Sequence, residues 1–223
     1  MISALSYVHK LSSVSDPTSS YIVRKSTKTA HKLKPANDSR LPFTEEIPEQ
    51  LVKTSRQAFQ NIYLTYLYPS MFLLAFHAFQ RVGEITESDH TLAFSDVTLT
   101  NDSILISFRS AKHSAGKHQE AVVTTVANPL ICPVQALKEY IVKRRRMPGP
   151  LFKLNGRSLL RRDFVTTLKA MLNIAGIPAD RFNSHSFRIG AATSSAAKGA
   201  SDAQIRKRGR WQSDAFKRYI RLP

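Results

Sequence analysis

The sequence predicts a mainly α-helical chain with one small three-stranded antiparallel sheet, an α+β protein. Three observations carry this. Capped amphipathic or wholly apolar segments recur from Leu41 to the carboxyl end. Three β-branched, alternating segments cluster between Phe94 and Ala127, the first two joined by Asn101-Asp102. Hydrophobic residues make up 42% of the 223 positions, enough for a packed core.

The first 42 residues differ in kind from the rest. Met1 to Leu11 reads as the end of a helix, with Ile2, Leu5, Val8 and Leu11 spaced by three. Ser12 to Arg40 is polar, contains Pro17 and Pro35, and reads as a connector with a helix in its middle. These features set a boundary at residue 35, with residues 36–223 as the main domain.

Beyond it, Thr44 caps a helix that starts with Glu45 and Glu46, accepts Pro48 in its first turn and runs to about Phe59. Pro69 opens a second helix, Ser70 to Phe79, which is apolar all round and therefore buried. Strands are expected over Phe94–Thr100, Ser103–Arg109 and Ala121–Ala127. Pro133 to Met147 buries Val134, Leu137, Tyr140 and Ile141 from one helical face. Arg161 to Ala175 is a further helix, stopped by Gly176 and Pro178. Short helices follow over Ser186–Ala197, Asp202–Arg208 and Ser213–Arg221.

Charge narrows the function. The chain carries 33 Lys and Arg against 16 Asp and Glu, a net charge of +17. Residues 138–223 hold 20 of those bases and only 5 of the acids. Such a surface meets an acidic partner, and nucleic acid is the commonest. A single cysteine, Cys132, allows no intrachain disulfide. The longest apolar run, Met71 to Phe79, is interrupted by His77 and too short to span a bilayer, and the first residues lack the layout of a secretory signal. Membrane and secreted classes are thereby disfavoured.

Several residues have the chemistry to act on phosphate. His185 and Arg188 stand three apart at a helix start, on one face, where the helix end adds positive potential. By itself H-x-x-R is more often a surface accident. Arg81 closes a buried helix, where a cation needs an anion or a carboxylate such as Glu84; a structural ion pair is the plainer reading. Lys112 follows the second strand in a loop from which an ammonium can swing, and Lys117 shares that loop. Trp211 and Tyr219 stand eight apart in a basic terminal segment that also contains Lys207, Arg208 and Arg210. The pair His113 and His118 lacks a carboxylate or thiol complement, so no metal is expected. Lys143 to Arg146 reads as a solvated or DNA-facing helix end, or as a nuclear-import signal.

Taken in order, Arg81 with Glu84, Lys112, His185 with Arg188, Trp211 and Tyr219 resemble the catalytic domain of the tyrosine recombinases, the phage-integrase superfamily, over residues 36–223. Gly209 to Phe216, ending in Tyr219-Ile220-Arg221, and Leu73 to Glu84 resemble the eukaryotic mobile-element branch of crypton and DIRS-type recombinases.

The resemblance implies a site-specific recombinase or integrase that cuts and rejoins double-stranded DNA. Tyr219 attacks the phosphate, leaving a 3′-phosphotyrosyl link and a free 5′-hydroxyl. Arg81 and Arg188 clamp the non-bridging oxygens, as planar, permanently charged forks can. Lys112 protonates the leaving oxygen, with Lys117 as the alternative, and an ammonium among arginines gives up its proton more readily. His185 serves as acid, base or oxyanion donor; Trp211 donates its indole N–H; Glu84 holds Arg81. Lys117, Lys207, Arg208 and Arg210 are candidate phosphate contacts, Arg210 also competing with Trp211 for the place nearest the phosphate. No cofactor or metal is implied.

Family analogy further implies a homotetramer on DNA and, for a eukaryotic chain, the nucleus. Residues 1–35 are expected to be the stub of an N-terminal core-binding domain, and the short tail past Tyr219 points to a shortened protein. The alternatives are a catalytically silent DNA-binding remnant and, at greater distance, a type IB topoisomerase.

Overall fold

The structure, a computed structural model, describes residues 2–33, 40–108 and 119–222. Two compact units divide at Ser39/Arg40. The first holds helix α1 (Ile2–Leu11), a 3₁₀ turn (Pro17–Ser19) and α2 (Tyr21–Leu33). Asp16 caps the 3₁₀ turn by accepting from the Thr18 amide, and Ser6 of α1 donates to the same carboxylate. These bonds hold the Asp16 carboxyl down at about 2.

The second unit starts with α3 (Glu46–Ala58) and α4 (Leu64–His77). All ten residues from Leu67 to Phe76 are buried, as their uniform apolarity requires. The helix begins five residues before Pro69, which was expected to open it. Burial of the apolar turns on both sides outweighs the hydrogen bond that a proline inside a helix removes. A short helix, α5 (Val82–Ile85), follows.

The sheet is β1 (Val97–Leu99), β2 (Ser103–Phe108) and β3 (Gln119–Thr124), in antiparallel order β1-β2-β3. Ile104, Ile106 and Phe108 alternate inward, and Asn101-Asp102 turns the first hairpin as expected. The first strand is shorter than expected because Phe94–Asp96 forms a 3₁₀ turn, in which Asp96 accepts from the Ala93 amide.

Helix α6 (Pro133–Arg144) ends earlier than expected. Arg144 turns inward and donates to the carbonyls of Leu151, Arg145, Met147 and Pro150, so the chain after it folds back around its guanidinium. A second, two-stranded ribbon then appears, β4 (Lys153–Leu154) with β5 (Arg157–Ser158), which the expectation of a single sheet missed. Its turn, Asn155-Gly156, has positive φ at both positions, the geometry of a tight hairpin.

Helices α7 (Arg161–Ile174), α8 (Ser186–Ala197) and α9 (Asp202–Gly209) complete the unit. The expected helix at 213–221 is a 3₁₀ segment, Asp214–Tyr219. The main core gathers α3, α4, α6, α7 and the sheet around Phe72, Phe164 and Phe187. A smaller core of Phe79, Ala191, Ala192, Ile205 and Phe216 joins α8, α9 and the carboxyl-terminal segment, with Trp211, Tyr219 and Ile220 packed on it. Among the described residues, no helix is long and apolar enough to cross a membrane.

Candidate active site

The site forms where three chain segments end on the smaller core. The first is the end of α4. Phe79 takes φ 51°, uncommon for an aromatic residue, and turns the chain so that Arg81 becomes the amino-terminal cap of α5. Arg81 and Glu84 hold each other reciprocally. The Arg81 amide donates to Glu84 Oε2 at 2.8 Å, and Arg81 Nη1 meets Oε1 at 3.1 Å. Glu84 is buried, whereas 29% of the Arg81 side chain is exposed.

The second segment is the start of α8. Asn183 Oδ1 accepts from the His185 amide at 2.8 Å, and the Asn183 amide donates to Ser186 Oγ at 3.1 Å. This local box aims His185 at the carboxyl-terminal segment, and neither Asn183 nor Ser186 is among the candidate site residues that the sequence marks. Arg188 is the largest fully buried side chain, with 1% exposure. Its Nη1 donates to the Phe79 carbonyl and its Nη2 to the Gly209 carbonyl, while Nε has no partner among the described residues. The guanidinium carbon lies 4.1 Å from the Trp211 ring centroid and 5.7 Å from that of Tyr219. Burial, and next the neighbouring charges of Arg81 and Arg210, push the Arg188 pKa down to about 9.

The third segment runs from the end of α9. Arg210 takes a left-handed conformation, φ 55°, just after Gly209. Its side chain enters the interior, where Nη2 meets Glu84 Oε2 at 2.7 Å, Nη1 donates to the Ala78 carbonyl at 3.0 Å, and the guanidinium covers Phe108 at 3.8 Å. Arg210 is 6% exposed and forms an internal ion pair with Glu84. Burial lowers its pKa, with Glu84 opposing that shift. Lys207 and Arg208, by contrast, are exposed. Gly209 has no side chain because the Trp211 ring occupies that space. Trp211 then packs edge-on to Phe79 and at 5.0 Å from Tyr219.

Tyr219 closes the arrangement. Its hydroxyl lies 3.0 Å from His185 Nε2, with ring centroids 5.1 Å apart. The structure thus brings together Arg81, Glu84, His185, Arg188, Trp211 and Tyr219. Lys112, Lys117, His113 and His118 lie outside the described residues. Beside His185 is an open cleft of about 430 Å³ lined by Arg40, Arg161, Arg162, Asn183 and Ser184. Arg161 and Arg162 open α7, and the packing of that end beside the start of α8, not local pattern, brings them to the cleft.

The stretch that supplies these groups lies within residues 43–222, which match the phage integrase family. The chain belongs to the phage integrase family. Solved structures agree in fold. The XerH site-specific recombinase bound to palindromic difH substrate, in a post-cleavage complex, aligns with TM-score 0.66 at 16% identity, covering 84% of this chain and 51% of that one. The XerA recombinase aligns with TM-score 0.64 at 21% identity, covering 99% and 76%. A lambda integrase dimer bound to a COC′ core site aligns with TM-score 0.58 at 15% identity, covering 82% and 48%. The chain therefore spans about half the length of the XerH chain. Among curated proteins, none matches this chain in sequence.

Proposed function

We propose that this phage integrase family chain is the catalytic part of a site-specific recombinase that breaks and rejoins double-stranded DNA through Tyr219. One observation carries the reading: the Tyr219 hydroxyl stands 3.0 Å from His185 Nε2 while its ring lies beside the Arg188 cation. A phenol is a weak nucleophile near neutrality and needs a base within hydrogen-bonding reach.

The Tyr219 oxygen forms a bond to phosphorus as its proton passes to His185 Nε2. The bond to the 5′-oxygen breaks, and that oxygen takes a proton from Lys112, or from Lys117 in its place. The 3′-phosphotyrosyl ester conserves the energy of the broken bond, so the reverse attack by a 5′-hydroxyl reseals a strand. Charge on the five-coordinate phosphorus is met by Arg81 and Arg188. Arg81, the more exposed, meets the phosphate first; Arg188 engages once the Trp211 and Tyr219 rings give way. Glu84 holds Arg81 in place, and Arg210 in turn holds Glu84. This assignment needs no metal, because guanidinium groups supply the positive charge. The basic cleft beside His185, with Lys207 and Arg208, suits flanking phosphates.

The wider reading is also ours. Residues 36–223 form the catalytic domain, and residues 1–35 belong to a core-binding helical domain and its linker. The Gly209–Phe216 and Leu73–Glu84 motifs support the crypton and DIRS-type branch, and with it action in a nucleus as a tetramer on two duplexes.

A nicked suicide substrate tests the chemistry, because loss of the short downstream strand traps the ester. The purified protein is expected to give a covalent adduct that survives denaturation. Retarded DNA without any adduct would leave a silent DNA-binding protein instead.

A further inference from the structure

We propose that Thr193 is a positioning residue for the nucleophile: its hydroxyl brackets the Tyr219–Arg221 strap and fixes the phenol against His185. The inference rests on the recombinase reading of Tyr219 and adds a residue to that site.

Thr193 lies on α8, five residues beyond Arg188 and eight beyond His185. A threonine inside a helix ordinarily turns its hydroxyl back to its own helix's carbonyls. Here Oγ1 donates to the Tyr219 carbonyl at 3.1 Å and accepts from the Arg221 amide at 3.1 Å. One hydroxyl supplies a donor and two lone pairs, so a single group can pin both sides of Ile220. Ile220 packs on the smaller core, and the Arg221 guanidinium donates to the Arg40 carbonyl.

Tyr219 is therefore held twice by the same helix: at its carbonyl by Thr193 and at its phenol by His185. Arg188 projects from that helix between the two. Helix α8 thus fixes the nucleophile, its base and a phosphate ligand in one frame. Preorganisation of this kind lowers a barrier by removing misaligned conformers, and a displacement near 1 Å can cost about a hundredfold in rate. Tyr219, Ile220 and Arg221 are only partly buried, so water can replace the hydroxyl without loss of the fold. The defect should then appear in the chemical step, not in folding or DNA affinity.

The test is single-turnover cleavage of a nicked DNA substrate at saturating protein. Thr193→Val, which keeps the shape and loses the hydroxyl, should form adduct about 10- to 100-fold more slowly than the natural protein, with the DNA Kd unchanged. Thr193→Ser should restore the rate. The defect should persist on a substrate with a 5′-bridging sulfur, which departs without a proton but still needs attack. A natural rate in Thr193→Val, a Thr193→Ser as slow as Val, or a defect that vanishes on the sulfur substrate overturns the bracket. Should Thr193→Val fail to bind DNA, Thr193→Ala is read by the same criteria. Failure of the natural protein itself to form adduct on bound DNA would remove the Tyr219 chemistry, a different result from a fast Thr193→Val.

Discussion

Arg210 Nη2 stands 2.7 Å from Glu84 Oε2, and both side chains are shielded from water. The pair separates two neighbours in sequence. Arg210 and Trp211 are adjacent, but the left-handed turn at Arg210 sends the cation inward and leaves the indole over Arg188. Removing Arg210 takes one of two cations from a buried carboxylate that keeps Arg81, and it empties the space over Phe108, so Arg210→Ala should lower unfolding free energy by about 1–3 kcal/mol. Urea denaturation would measure it, and a loss below about 1 kcal/mol would place Arg210 among ordinary surface arginines.

Lys207 and Arg208 stand in contrast. They are exposed on the last turn of α9, and their substitution by Ala should leave thermal stability unchanged. In DNA-binding titrations at several salt concentrations, each substitution should reduce the slope of log K against log salt by about 1. Cleavage at saturating DNA should keep its rate.

His77 sets an acid limit on stability. It ends α4, with Glu45, Lys198 and the Ile131 carbonyl around it, and burial lowers its pKa from 6.5 to about 4. Between those values the unfolded chain binds a proton that the folded chain refuses. The stability contribution is therefore complete above pH 6.5 and is lost progressively as pH falls toward 4. Thermal melts across this range should show the fall, and His77→Gln should flatten it.

Gly209→Ala places a methyl group where the Trp211 ring lies. The ring must shift, at a cost of about 1–3 kcal/mol, and it then uncovers Arg188. Trp211 is the chain's single tryptophan, so its fluorescence reports the shift directly. The expected outcome is an altered emission spectrum and slower cleavage, with DNA binding retained.

Much of this was legible in the sequence where local pattern decides structure. The apolar run in α4, the alternation in β2, and the Ser201 and Gln204 box that starts α9 each declare their element within a few residues. Asn155-Gly156 declared a hairpin too, but the strands it joins are two residues long and too short to show alternation. The candidate site divides the same way. His185 and Arg188 were legible because a helix sets their spacing, and Arg81 with Glu84 because a capping turn does. Arg210 and Thr193 were not, because their partners lie far away in sequence. Arg210 reaches Glu84 only after the left-handed turn, and Thr193 meets Tyr219 only once the terminal segment crosses α8.

Peptide mapping of the trapped adduct tests the central claim most directly. After nuclease digestion, mass spectrometry should find the residual nucleotide on the peptide containing Tyr219, and Tyr219→Phe should abolish the adduct while binding DNA like the natural protein. An adduct mapped to any other residue, or one that persists in Tyr219→Phe, would contradict the account.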